Sequence, residues 1–101
     1  MMQLMPLIFS LASTVLVIGD SVSGIAATPA LQTVDPGNEW IYCAPGDNCQ
    51  STQYALEFDR IDGWLASAVY DCIVVNFGLH DIIVTPDLNE YAANLQEILL
   101  R

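Results

Sequence analysis

The sequence predicts an α/β fold: a three-layer α/β/α sandwich built on a parallel sheet, and an incomplete one. Three observations predict it. Val15 to Ile18 and Asp71 to Phe77 are apolar, β-branched runs without in–out alternation, the pattern of strands buried on both faces. Each strand candidate is followed by a stretch with helical character. Turn residues separate the two kinds of segment. Strands that alternate with helices imply parallel pairing and right-handed crossovers.

The elements follow in order. Thr14 to Ile18 is the first strand, ended by Gly19-Asp20. Val22 to Val34 reads as helix, with a restart at Thr28-Pro29: Thr28 as N-cap and Pro29 in the first helical position. Asp35-Pro36-Gly37-Asn38 is a turn signal, and Glu39 to Cys43 the second strand. Ala44 to Gln50 is a loop. Ser51 to Ala66 reads as one helix, because Tyr54, Ala55, Phe58, Ile61, Trp64 and Leu65 recur at spacings of three and four. Asp71 to Phe77 is the third strand, with a central-strand pattern, and Gly78 to Thr85 a loop. The last helix has a capping box at Asp87 and Glu90, with Leu88, Tyr91, Leu95, Ile98 and Leu99 on one face.

The first residues admit more than one reading. Residues 1–13 are an apolar leader, and residues 14–101 form a partial domain. A signal peptide over residues 1–27 has the small residues Ala26 and Ala27 at its end, but no basic residue before the apolar run, and Asp20 interrupts it. A membrane span over residues 1–19 lacks a basic flank and closes on turn chemistry. The expectation is a soluble protein, cytoplasmic rather than secreted.

Charge excludes some partners. Twelve acidic residues face two basic ones, Arg60 and Arg101, for a net charge of −10. Such a chain repels nucleic acid and anionic lipid surfaces. The three cysteines, Cys43, Cys49 and Cys72, and the single histidine, His80, make no recognisable metal set. A Cys43–Cys49 disulfide suits a secreted protein, but buried thiols are the expected state.

In a parallel α/β sheet the functional edge lies at the carboxyl ends of the strands. Three polar clusters fall there: Gly19-Asp20-Ser21, Asn48 to Thr52, and Gly78 to Asp81. Ser21, between strand and helix, is exposed at a helix N-terminus, where a developing oxyanion is favoured. A serine is a weak nucleophile without a base. Capping by Asp20 or Ser21 explains the same residues and is the commoner reason for them. His80 is the sole imidazole, with Asp81 beside it. Neighbours along a strand end point apart, so Asp81 does not orient His80 as a triad would. An ordinary loop histidine is the alternative. Ser51 reads as an N-cap at the end of an ordinary turn.

The run VLVIGDSVS, residues 15–23, resembles block I of the SGNH/GDSL hydrolase superfamily. VVNFGLHD, residues 74–81, resembles its block III, where Gly-x-Asn-Asp is usual. NCQSTQYALEFDRIDGWL between them resembles the block II loop and the helix after it. The resemblance covers about Thr14 to Arg101 and implies the flavodoxin-like SGNH hydrolase fold. It implies Ser21 as nucleophile with Asp20 in support. Oxyanion donors would come from the amide of Ser21, from Gln50 at the usual block II glycine, and from His80 at the usual block III asparagine. Asn48, Gly78 and Asp81 would border the bound substrate, a small-molecule ester. No metal or organic cofactor is implied, since the serine mechanism needs none.

Two departures matter. Gln50 and His80 replace the usual residues. The family's base histidine, in an Asp-x-x-His motif beyond further strands, has no counterpart in these residues. The chain is therefore expected to be inactive or nearly so, as a truncated gene model, a fragment or a degenerate paralogue. Three strands and their helices also leave a sheet edge uncovered, so self-association or poor solubility is expected. Two other readings stay open. One is a non-catalytic SGNH-like binding domain. The other is a small secreted acidic protein, whose mature N-terminus near Thr28 would remove Ser21.

Overall fold

The computed structural model describes residues 12–43 and 49–101. Its centre is a three-stranded parallel sheet in the order β2-β1-β3. Strand β1 is Thr14–Gly19, β2 is Glu39–Tyr42 and β3 is Cys72–Asn76. The chain is thus α/β. Leu16 pairs with Ile41 on one side and Ile73 on the other, and Gly19 pairs with Asn76. Strand β1 is central and buried from Val15 through Gly19, as its unbroken apolar run requires. Cleavage near Ala27 would remove this strand, so a mature chain beginning at Thr28 could not form this sheet.

The helix after β1 is irregular for a chemical reason. Pro29 has no N–H and its ring would crowd the carbonyl of Ile25. The chain relaxes into a π-turn at Ser23–Ala27, followed by α1 at Thr28–Val34. Thr28 has helical dihedrals, so it is not the expected N-cap. Its N–H and its hydroxyl both donate to Ser23 O, the hydroxyl at 2.7 Å. The Asp35-Pro36-Gly37-Asn38 turn is closed by Asp35, whose carboxylate accepts from Asn38 Nδ2 and Trp40 Nε1.

The expected single helix over Ser51 to Ala66 is two. Helix α2 is Thr52–Leu56 and α3 is Arg60–Ala66, joined by a 3₁₀ turn at Glu57–Asp59. Phe58 and Asp59 lie in the left-handed region, which turns Phe58 out to 89 % exposure instead of into the core. Arg60 closes the break: its guanidinium donates to Tyr54 O and stacks 3.7 Å from the Tyr54 ring. The core contacts made by Ala55 and Ile61 survive because each half keeps its own buried face.

The expected loop after β3 holds a short helix, α4, at Asp81–Val84. It stops at Thr85 because the residue before Pro86 is disfavoured in helical geometry. Helix α5, Leu88–Leu99, is capped by Asp87, whose carboxylate accepts from Asn89 N–H at 2.8 Å. No bond from Glu90 completes a capping box among the described residues. Tyr91, Leu95 and Ile98 face inward, whereas Leu88 and Leu99 are exposed.

Leu16 and Ile18 pack with Ala55, Ile61 and Ile98 in one hydrophobic cluster. Strand β3, read as central, is an edge: Ile73 is 46 % and Val74 39 % exposed. No helix among the described residues is long and apolar enough to cross a membrane. Cys43 and Cys49 form a disulfide, not the expected pair of thiols. They sit six residues apart in sequence and both are buried. Cys72 is free and exposed.

Candidate active site

The strand ends converge at the carboxyl edge of the sheet. Asp20 follows the buried Gly19 and is 5 % exposed. Its carboxylate accepts from Val22 N–H at 3.0 Å and from Ser23 N–H at 3.5 Å, so Asp20 caps the helix start. That leaves the hydroxyl of Ser21 outside the cap. Ser21 is half-buried, and no hydrogen bond engages its Oγ among the described residues. Gly19 is required here: a Cβ would lie 2.5 Å from Asn76 O and from Ser23 Oγ. The same closeness lets Asn76 Nδ2 donate to Ser23 Oγ at 3.2 Å, tying the end of β3 to the helix after β1.

After β2, Gln50 has φ 53°, the left-handed conformation that glycine adopts most readily. Its neighbours are anchored on both sides. Cys49 N–H donates to Tyr42 Oη at 2.9 Å, and Tyr42 Oη lies 2.6 Å from Gly19 O and 3.0 Å from Asp20 O. On the other side, Ser51 caps α2 by accepting from Tyr54 N–H at 3.0 Å. Thr52 N–H and Oγ1 both donate to the Asp81 carboxylate. Asn94 Nδ2 in turn reaches Thr52 Oγ1 at 3.3 Å. The segment from Cys49 to Thr52 is therefore bonded to the turn after β1 through Tyr42 and to the segment after β3 through Asp81.

After β3, Gly78 has φ 151°, strained for any residue with a side chain. Phe77 O accepts from Tyr91 Oη at 2.8 Å. Partial burial, and then the Asp81 carboxylate, hold the Tyr91 phenol above its usual value of 10.0. His80 is half-buried, and its ring has no hydrogen bond among the described residues. Asp81 is 3 % exposed, and its carboxylate is engaged by Thr52 rather than by His80. Asn48 lies outside the described residues. Beside this loop, Gly78, Asp81, Ile82, Thr85, Leu88 and Tyr91 border a mostly apolar cavity of about 370 Å³. No group of metal-ligating side chains occurs among the described residues.

Sequence reasoning missed Tyr42 and the Asp81–Thr52 pair. Their partners are 7, 22, 23 and 29 residues away, beyond the reach of any local pattern. Gly24 carried a weak signal for Tyr42: a Cβ there would lie 2.6 Å from the phenol ring. No family model, curated protein or solved structure matches the chain.

Proposed function

We propose that the chain carries the nucleophile and oxyanion half of an SGNH/GDSL-type serine esterase, on an incomplete flavodoxin-like three-layer α/β/α sandwich. One observation carries the reading. The Gly19-Asp20-Ser21 turn leaves the central strand next to the Gly78-to-Asp81 loop, with Gln50 left-handed on the segment bonded between them. A residue standing at a glycine position of the family would adopt that conformation.

In this reading Ser21 Oγ attacks the ester carbonyl and gives its proton to a base. The tetrahedral oxyanion receives hydrogen bonds from the Ser21 amide, the Gln50 amide and the ring of a neutral His80. The carbon–oxygen bond to the alcohol breaks, the base returns the proton to the leaving alkoxide, and an acyl-Ser21 ester remains. Water then attacks that ester and releases the acid. Asp20 holds the helix N-terminus at Ser21, and Asp81 holds the loop that carries His80. The resemblance implies a base from an Asp-x-x-His motif, which these residues do not include. The substrate is a small acyl ester, and the cavity beside Gly78 suits its apolar part. No cofactor takes part.

A second reading, a non-catalytic SGNH-like domain, is favoured by the lack of any base bonded to Ser21 among the described residues. The Cys43–Cys49 disulfide favours an oxidising compartment over the cytoplasm. The test is hydrolysis of a p-nitrophenyl short-chain ester by the product of the complete transcript. Turnover that drops by about a thousandfold or more in Ser21→Ala supports the esterase. Turnover indifferent to Ser21, or none from a product that has the Asp-x-x-His motif, contradicts it.

A further inference from the structure

We infer that Tyr42 is a positioning residue whose buried hydroxyl sets the Cys49-Gln50 segment against the Gly19-Asp20-Ser21 turn. Its significance for catalysis rests on the esterase reading, whereas its mechanical role does not.

Tyr42 pairs with Val17, two residues before Gly19, and its side chain lies against Gly24 at the start of the next helix. From there Oη reaches up to the turn. A phenol hydroxyl has one proton and can accept as well as donate. It accepts from Cys49 N–H at 2.9 Å and places its proton between Gly19 O at 2.6 Å and Asp20 O at 3.0 Å. One atom thus joins the backbone immediately before Ser21 to the backbone immediately before Gln50. The disulfide ties Cys49 to Cys43, whose N–H donates to Val17 O in the body of the sheet, so among the described residues it does not itself reach the Gly19-Asp20-Ser21 turn. Gly24 belongs to the same device, because any side chain there would displace the ring. A mere core tyrosine would need one partner for its hydroxyl; this one bonds both strand-end segments, each next to a proposed oxyanion donor.

The test is amide hydrogen exchange in the native protein, Tyr42→Phe and Gly24→Ala. Phenylalanine keeps the ring and removes Oη; alanine keeps Oη and displaces the ring. The expected result is exchange at Cys49 at least tenfold faster in both variants, with Leu16 to Ile18 unchanged. In the esterase-active product, Tyr42→Phe should lower kcat at least tenfold and leave KM within about twofold. Unchanged exchange at Cys49 overturns the inference. Faster exchange across β1 as well overturns it too, since Tyr42 would then hold the fold and not the segment. If local exchange rises while hydrolysis ignores Ser21→Ala, the clamp stands and the esterase reading falls.

Discussion

At the scale of single residues, the carboxyl edge of the sheet is held by side chains that sequence patterns do not rank. Gly-Asp-Ser and Gly-Leu-His-Asp stand out because glycines and acids punctuate apolar runs. Asp20 caps the helix, the reading its local sequence favours, whereas Asp81 is buried against Thr52, which spacing does not suggest. Tyr91 gives this scale its pH test. Burial and the Asp81 carboxylate raise its phenol, so the folded state keeps the proton that the unfolded chain gives up. Below pH 10 this contribution to stability is fully present; above it, the unfolded state binds fewer protons and stability declines until the folded phenol also titrates. Urea midpoints measured from pH 9 upward should fall more steeply in the native chain than in Tyr91→Phe. Equal slopes would contradict the assignment. Tyr42 and the bond between Thr52 and Asp81 were illegible because the partners are distant in sequence, and a tyrosine in a strand is already explained by strand propensity.

At the scale of elements, strand and helix positions were legible and helix continuity was not. Each strand coincides with an apolar run, but only the central strand β1 is buried along its length, whereas β3 is exposed over Cys72 to Val74. Periodicity carried the reading of Ser51 to Ala66 across Phe58, since a three-four spacing does not reveal a left-handed pair within it. Phe58→Gly separates the two pictures by sign. Inside a continuous helix glycine would be destabilising by about 1 kcal/mol. At an exposed left-handed position it removes a penalty of about 1–2 kcal/mol. The kinked structure predicts a variant as stable as the native chain or more so in urea unfolding, and a loss near 1 kcal/mol would restore the single helix. Pro29 was legible as a break, but the π-turn it produces was not, because the compensating bonds from Thr28 to Ser23 involve a five-residue step.

At the scale of the whole molecule, the α/β class followed from the alternation of elements, whereas strand order did not. Crossover handedness permits β3 to lie at the edge or the centre; the pairing of β1 with both neighbours puts it at the edge. That edge has no lysine, proline or bulge to blunt it, and Ile73 and Val74 are exposed. A second copy can pair there as a strand, opposed by a net charge of −10 on each chain. Sedimentation should show association that rises with concentration and with added salt, since screening weakens the repulsion. Val74→Lys should leave a monomer. A native chain that stays monomeric and unfolds in one sharp transition would contradict this.

The proposed nucleophilicity of Ser21 is read most directly by a covalent probe. The product of the complete transcript is treated with a fluorophosphonate and its peptides are weighed. A single adduct is expected on the peptide containing Ser21, absent after Ser21→Ala. An adduct elsewhere, or none at all on a folded protein, would contradict it.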